Sequence, residues 1–419
     1  MNMATINFGL KKQVSQEELQ SIVDTAVKTR DRSDTGTLKR VLNEEQAVEE
    51  YLDKQKITDR GDKPNEELFL DAYNAMEKEE KKLYEIWQLE LSEDTINAQD
   101  GGTEKILETL KRNPDVEFAE LNQTYRLSWT PNEPQFSSLY GLKKVECEKA
   151  WNISKGKGVI VAVVDSGINA KHVDVSRNLA RKNSNRDIIG YNFVDNNNDL
   201  SDTFGHGTHV AGIIAAVGNN SQGVIGVAPE AKIMPVKAFS GRTSNSNILA
   251  NAIKFAVDHG AQVINNSWAY DERIPSDTTL LQAINYALQK GVVCVFAAGN
   301  KNENVRNYWI ALHPELIVVA STDQNDGKAP GSNWGNEITV AAPGFEILSL
   351  QIGANNGVVT QSGTSMAAAH VSGAIALYLA KHGKTPVGSI KNHLKSKADY
   401  IATSVPLGSG RLNCFNLIR

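Results

Sequence analysis

Residues 158–167 read GVIVAVVDSG, an apolar run that is interrupted only when it reaches Asp165. Hydrophobicity that is continuous rather than alternating is typical of parallel strands buried on both faces. Helical stretches at residues 246–260 and 279–291 each end in glycine, which commonly follows a helix C-terminus. Similar continuous apolar runs occur in KIMPVKAF (232–239), AQVINNSW (261–268), VVCVFAAG (292–299) and LIVVAST (316–322). This alternation predicts an α/β domain with a mostly parallel sheet, whose functional residues gather at the carboxyl ends of strands.

The composition limits the classes of function. The chain has 419 residues, of which 41% are hydrophobic and 22% charged, and a formal net charge of −5, which does not suggest a nucleic-acid partner. No apolar run approaches the roughly 20 residues that span a bilayer, so no membrane association is expected. The opening MNMATINFGLKKQ lacks the apolar stretch of a secretory signal, which favours the cytoplasm, or secretion if a leader was removed. We expect a monomer. The three cysteines form neither a disulfide framework nor a metal pattern.

Three regions of the chain differ in charge content and in the pattern of their apolar residues. Residues 1–80 are rich in charge and carry short helical patterns such as 15–27, which predicts a loose helical or partly disordered segment. Residues 81–128 alternate as a strand, a helix and a second extended run, which predicts a small α+β domain. About 50 residues make a weak core, so this domain is expected to lean on another surface. Residues 129–419 hold the predicted α/β domain.

Three candidate catalytic residues lie in the region where such a sheet is expected to gather its functional residues. Asp165 ends a predicted strand, His206 opens a helix in GHGTHVAG, and Ser365 opens another in SGTSMAAAHVSG. A serine hydroxyl is a weak nucleophile until a base takes its proton, and the base needs a carboxylate to orient it. Each residue alone is as well explained by a helix cap or a helix start. Together they can supply the nucleophile, the base and the orienting acid.

Five motifs carry a resemblance to a known family. VVDSGI (163–168), GHGTHVAG (205–212), VINNSW (263–268), AAGN (297–300) and GTSMA (363–367), in this order, resemble the subtilisin-like serine proteases. The resemblance implies a subtilisin-like α/β fold with helices on both faces of the sheet. It also implies an endopeptidase that cuts protein or peptide substrates. Ser365 would be the nucleophile, His206 the general base and Asp165 its orienting carboxylate, while Asn300 and the Ser365 N–H would stabilise the oxyanion.

The resemblance also places the substrate. Ala269 stands where the family commonly has glycine, so its methyl group is expected to narrow the groove. Tyr308 lies where the family forms the floor of the P1 pocket. We therefore predict a preference for small or unusual P1 residues. The residues that the resemblance assigns to substrate binding are Ser267, Trp268, Ala269, Ala297, Ala298, Gly299 and Tyr308.

Two oxygen-rich loops suggest calcium, Ca2+, as the cofactor. The loop at 215–224 is similar to a calcium loop of thermitase-like members, and FVDNNNDLSD (193–202) is a second candidate. A loop rich in Asp and Asn is equally well explained as a simple turn. For the first site, the resemblance implies Glu133, Asp174, Val217, Asn220, Gln222 and Val224 as ligands. In the second loop, the candidate ligands are Asp195, Asn197 and Asp199, with Asp202 as a further candidate.

Residues 81–128 resemble the inhibitory propeptides of this family, which implies a zymogen whose own propeptide is an intramolecular inhibitor. Self-cleavage is expected between Ser128 and Trp129, and a small Ser128 at P1 agrees with a narrow pocket. Two alternatives stay open: a catalytically silent relative that binds peptides as an adaptor, and a maturation protease dedicated to one partner. The presence of every triad residue argues against the silent relative.

Overall fold

The structure, a computed structural model, describes residues 5–11, 15–27, 37–40, 72, 75, 86–91, 102–122, 130–183, 186–269 and 276–419. The chain divides into two compact units, Met1–Arg126 and Leu127–Arg419. Ser128 and Trp129, between which self-cleavage is expected, lie outside the described residues. No helix in the described part of the chain is long and apolar enough to cross a bilayer.

A seven-stranded sheet in the order β11-β10-β9-β8-β5-β7-β6 forms the centre of the second unit. Every neighbouring pair in it is parallel, and all five apolar runs of the sequence become strands of this sheet. The strands are β5 (Ile160–Asp165), β6 (Tyr191–Asn192), β7 (Lys232–Lys237), β8 (Val263–Asn266), β9 (Val293–Ala297), β10 (Ile317–Thr322) and β11 (Val340–Pro343).

Helices cover both faces of this sheet. Val161 and Val163 of β5 pack in one buried cluster with the helices His206–Ala215 and Thr364–His382. Their neighbours Ala162 and Val164 pack in a second cluster on the other face. That cluster includes residues of the helices Ser246–Asp258 and Thr278–Gln289. The predicted α/β fold with a parallel sheet and helices on both faces is confirmed.

The remaining elements of the second unit are short or lie at its edges. An antiparallel hairpin of β12 and β13 leads directly into the helix that carries Ser365. The bounds of these elements are Phe136–Ser138, Tyr140–Lys144, Cys147–Trp151, Ser176–Asn178, Val305–Asn307, Trp309–Leu312, Ile347–Leu350 (β12), Val358–Gln361 (β13), Val387–Ser396 and Cys414–Ile418.

The first unit contains an antiparallel sheet in the order β2-β3-β1-β4. Its strands are β1 (Thr5–Leu10), β2 (Thr37–Arg40), β3 (Ile86–Glu90) and β4 (Val116–Leu121), and its helices are Gln16–Val27 and Gly102–Arg112. We expected a loose segment over residues 1–80, separate from 81–128. The structure instead places β1 between β3 and β4, and Phe8 is fully buried in the same core as Leu89 and Ile106. Residues on both sides of the expected boundary therefore build one core.

Candidate active site

Asp165, His206 and Ser365 come together in one cleft. Asp165 is the last residue of β5, and His206 and Ser365 lie in the first turns of two helices on the same face of the sheet. Asp165 ends a parallel strand and the His206 helix follows β6 in the chain, so both residues lie at the carboxyl edge of the sheet, where the sequence predicted the chemistry. The hairpin of β12 and β13 leads into the helix that brings Ser365 to the same cleft.

The Asp165 carboxylate holds the imidazole of His206. The Nδ1–H of His206 donates to Oδ1 of Asp165 at 2.8 Å and to Oδ2 at 2.9 Å. The helix that carries His206 can approach this closely because Gly207 follows it. A Cβ atom at Gly207 would stand 2.3 Å from the Gly167 carbonyl oxygen and 3.1 Å from the Asp165 Cβ. With Nδ1 carrying the proton, the other ring nitrogen is left to act as a base.

The charges around His206 tune its basicity. Burial alone would lower the pKa of His206, but the charge and hydrogen bond of Asp165 outweigh it, so that the pKa lies above its usual value. Asp202 raises the pKa of His206 further, whereas Arg242 opposes the rise. The imidazolium is therefore more stable here than on an ordinary histidine, which suits a base that must hold a proton during the reaction.

Asp202 organises the start of the His206 helix. Its carboxylate accepts hydrogen bonds from Gly205 N at 2.7 Å, from Thr208 N at 2.9 Å and from Ser166 Oγ at 3.0 Å. These bonds outweigh burial and lower the pKa of Asp202, so it stays ionised. Sequence analysis did not assign Asp202 this role. The signal was available, because an Asp shortly before a helix start is a typical N-terminal cap.

The nucleophile candidate Ser365 is tied to Ser267. The Ser365 hydroxyl donates to the Ser267 carbonyl oxygen at 2.8 Å, and the Ser267 hydroxyl donates to the Ser365 carbonyl oxygen at 2.9 Å. Asn265 extends this contact into the core, because its Nδ2 donates to Ser267 Oγ and its Oδ1 accepts from Ser372 Oγ, both at 2.8 Å. This buried polar chain joins β8 to the helix of Ser365, and sequence analysis missed Asn265 and Ser372.

Two N–H donors face the cleft beside Ser365. The Asn300 Oδ1 atom accepts from Thr364 N at 2.9 Å and from Thr364 Oγ1 at 3.1 Å. This fixes the side-chain amide, and its Nδ2 has no hydrogen-bond partner among the described residues. The backbone N–H of Ser365 lies in the first turn of its helix, where N–H groups have no partner within the helix. The pair is suited to an oxygen that becomes negative in the cleft.

The comparison with known proteins agrees with this geometry. A sequence model of the subtilase family matches residues 156–412. The chain belongs to the subtilase family. It is 39% identical over 294 residues to thermitase of Thermoactinomyces vulgaris, an alignment that covers 70% of this chain and 100% of thermitase. It is 39% identical over 322 residues to a thermophilic serine proteinase of Bacillus sp. strain AK1, with 76% of each chain covered.

A solved structure of a Pseudoalteromonas arctica protease is similar to this subtilase, with a TM-score of 0.63 and 29% identity. That match covers 69% of this chain and 99% of the solved chain. The protein is therefore a subtilisin-like serine protease, as the resemblance of its motifs implied.

The expected substrate-binding residues fall into two groups. Ser267, Trp268 and Ala269 line the cleft of this subtilase together with Asn300. Ala297, Ala298 and Gly299 follow one another at the end of β9. A Cβ atom on Gly299 would stand 3.6 Å from the Ala269 Cβ, so the two segments lie side by side. Tyr308 is buried, its hydroxyl donates to Glu303 at 3.0 Å, and it is not among the residues that line the cleft.

The histidines His209 and His370 of the subtilase domain are buried. The Nε2–H of His209 faces the carbonyl oxygens of Ile347 and Val359 at 3.0 and 3.1 Å. The Nδ1–H of His370 faces the Met366 carbonyl at 2.9 Å. Burial lowers the pKa of each to about 4. Both rings are therefore neutral near pH 7 and serve packing.

The first calcium loop gathers two buried carboxylates. Glu133 is 4% exposed and Asp174 is 0% exposed. The Asn220 N–H donates to Glu133 Oε1 at 3.1 Å, and the Asn220 side chain donates to Asp174 Oδ1 at 2.9 Å. The second carboxylate oxygen of Glu133 is buried without a hydrogen-bond partner. Negative charge thus accumulates at a buried position, where it is costly unless a cation is near.

The other expected ligands of this first loop are neutral. Val217 donates its N–H to the Asp174 carbonyl oxygen at 2.6 Å, and Val224 donates its N–H to Asp174 Oδ2 at 3.0 Å. Gln222 donates its N–H to Asn220 Oδ1 at 2.9 Å. No group of three or more His, Cys, Asp or Glu side chains that could hold a metal occurs in the described ranges. The residues fit a hard cation only if amide oxygens complete the ligand set.

In the second candidate calcium loop, a side-chain amide occupies the point where a cation was expected. Asp195, Asn197 and Asp199 do lie around one point, but the side-chain amide of Asn192 stands there. Asn192 was not among the residues that the sequence singled out. The oxygens expected to bind a second cation are hydrogen-bonded to protein instead.

Proposed function

We propose that the chain is a serine endopeptidase that hydrolyses peptide bonds with Ser365, His206 and Asp165. The observation that carries this proposal is the paired bond from His206 to Asp165 at the cleft that Ser365 and Asn300 also line. A cleft that is open at the surface and bounded by a nucleophile, a base and two N–H donors suits attack on a carbonyl group.

The reaction would begin when a substrate carbonyl enters the cleft. The Ser365 hydroxyl leaves the Ser267 carbonyl and passes its proton to Nε2 of His206 as Oγ attacks the substrate carbon. The Asn300 amide and the Ser365 N–H stabilise the oxyanion that forms, and Asp165 stabilises the imidazolium of His206. His206 then gives the proton to the leaving amine, and water hydrolyses the acyl-enzyme by the same steps in reverse.

The first unit, Met1–Arg126, would be the intramolecular inhibitor of a zymogen. We assigned this role to residues 81–128 on sequence grounds, and the pairing of β1 extends it. β1 lies between β3 and β4, so a fragment that begins at residue 81 would lack a central strand. We therefore expect the whole first unit to act as the propeptide, and cleavage between Ser128 and Trp129 to release it.

One calcium ion would stabilise the protease. The support is the pair of buried carboxylates, Glu133 and Asp174, and the unpartnered Oε2 atom of Glu133. The ion would be held by these two residues, the Asn220 and Gln222 side chains and the backbone oxygens of the loop at 217–224. Its role would be to neutralise buried charge and tie this loop to Glu133.

Self-processing tests the proposal. Wild type, Ser365→Ala and Ser404→Ala are each incubated with calcium or with a chelator, and the N-terminus of any shortened product is sequenced. Ser404 is exposed and serves as the matched control. We expect a product that begins at or near Trp129 in wild type and Ser404→Ala only. If Ser365→Ala shortens equally, a contaminating protease makes the cut. If wild type neither shortens nor cleaves added peptides, the assignment of an active endopeptidase is wrong.

A further inference from the structure

Asn192 is a buried residue outside the catalytic residues and outside the expected calcium ligands. It ends β6, and its side chain points into the turn at 193–201, which leads to Asp202 and His206. Only 1% of its surface is exposed. A buried amide must have both of its polar atoms satisfied, so its partners reveal what the turn requires.

The two polar atoms of Asn192 have different partners. Its Oδ1 accepts from the backbone N–H groups of Val194 at 2.9 Å and Asp195 at 3.1 Å. Its Nδ2 donates to Asp195 Oδ2 at 3.0 Å, to the Asp199 carbonyl at 2.9 Å and to Asn197 Oδ1 at 3.3 Å. A flipped amide would set N–H against N–H and oxygen against oxygen, so the network itself determines the orientation.

The Nδ2 atom therefore stands at the point on which three oxygens of the turn converge. These oxygens belong to Asp195, Asn197 and Asp199, the residues expected to bind a second calcium ion. A cation there would meet an N–H donor, which repels it. Asp202, the remaining carboxylate nearby, is occupied by the helix start of His206.

The two candidate calcium loops thus differ in whether they contain a buried side-chain oxygen without a hydrogen-bond partner. Glu133 keeps a buried carboxylate oxygen without a partner, whereas no buried side-chain oxygen of the described turn 192–202 lacks one. Asp195 and Asp199 are exposed, so water can solvate whatever charge the Asn192 amide does not meet. Only the Glu133 loop needs a cation.

We propose that the turn 192–201 binds no metal, because the Asn192 amide performs there the organising role of a cation. It follows that Asn192→Asp converts the turn into a calcium site. The substitution removes the Asn192 N–H donor from the centre and adds a second carboxylate to that of Asp195. Four oxygens would then face one point, which is stable only around a hard cation.

Calcium equilibrium dialysis of the full-length chain in the inactive Ser365→Ala background tests this inference. We expect Asn192→Asp to bind one calcium ion more than its parent, with a Kd of about 10⁻⁴–10⁻³ M as in weakly charged sites. Asn198→Asp is the matched control, because it adds the same charge at an exposed position of the same turn. It should leave the count unchanged.

A second comparison keeps the inference testable if Asn192→Asp does not fold. Asp195→Asn removes the carboxylate that accepts from Asn192 Nδ2, and we expect the number of bound ions to equal that of the parent. A loss of one ion in Asp195→Asn would overturn the proposal, and so would an unchanged count in a folded Asn192→Asp variant. Both readouts are differences between ion counts, so they do not depend on peptidase activity or on the site at Glu133.

Discussion

Replacing Glu133 by Gln should stabilise the protein in chelator, and calcium should reduce this gain. The Glu133 carboxylate is 4% exposed, one of its oxygens has no partner, and Asp174 lies near it. Glutamine keeps the bond from Asn220 N and removes the buried charge. We expect Glu133→Gln to raise the free energy of unfolding in chelator by about 1–3 kcal/mol, the cost of an unsatisfied buried group.

Calcium reduces this gain. An amide is a weaker ligand than a carboxylate for a hard cation, and each tenfold loss of affinity lowers the free energy of unfolding at saturating calcium by about 1.4 kcal/mol. A tenfold to hundredfold loss therefore subtracts about 1.4–2.7 kcal/mol from the gain seen in chelator. The stability of Glu133→Gln relative to its parent falls by this amount as calcium is added, and this fall is the diagnostic result.

The pH dependence of the free energy of unfolding provides a second test of the buried Glu133 carboxylate. Burial raises the pKa of Glu133 above its ordinary value of 4.5, hydrogen bonds from backbone N–H groups oppose this, and Asp174 adds to the rise. In chelator the folded state therefore keeps this proton longer than the unfolded state. The free energy of unfolding should fall as the pH rises from 4.5 through the raised value. Glu133→Gln should lack this decline.

Urea unfolding in the Ser365→Ala background measures these quantities without autolysis. Glu230→Gln, at an exposed glutamate of the same unit, is the control and should match its parent with and without calcium. Equal destabilisation of Glu133→Gln in calcium and in chelator would refute the reasoning, since it would assign Glu133 a packing role and no cation.

Three further predictions concern the cleft and its supports. Asp202→Asn should move the acid limb of kcat/KM to lower pH, because the Asp202 charge raises the pKa of His206, and activity is lost as the pH falls through that value. An acid limb that stays at the same pH would show that the Asp202 charge does not raise the pKa of His206. Ala269→Gly should raise kcat/KM for peptides with a large P1 residue by about tenfold, the value of a small change in pocket volume, while small P1 residues change little. An unchanged P1 profile would show that Ala269 does not narrow the pocket. Ser372→Ala leaves Asn265 Oδ1 buried without its donor, so urea unfolding of the inactive protein should show a loss of about 1–3 kcal/mol.

The parts predicted from sequence were those with a strong local signal. The strands of the parallel sheet are buried on both faces, so each appears as a continuous apolar run such as β5 or β9. The strand β1 escaped prediction, because TINFGL is short and its partners β3 and β4 lie far away in the chain. The hairpin of β12 and β13 was missed as well, since strands of four residues are too short to show a periodicity.

The site divides in the same way. Asp165, His206, Ser365 and Asn300 were found from their motifs, because each stands in a short stretch of small residues and turns that the chemistry requires. Asn265 was not, because its partner Ser372 comes from another element. Asp202 has the local signal of a helix cap, but its bond to Ser166 joins distant segments. A hydrogen bond between distant segments has no local pattern.

The amino-acid sequence alone determined the order of strands and helices and the types of catalytic residue, since apolar burial and turn chemistry act between near neighbours in the chain. The packed fold alone determined which oxygens meet at one point. Glu133, Asp174 and Asn220 lie far apart in the sequence, and packing alone brings the Asn220 amide groups to both carboxylates. Whether a cluster of oxygens needs a cation depends on the donors that packing delivers to it, and those donors are set by distances in space.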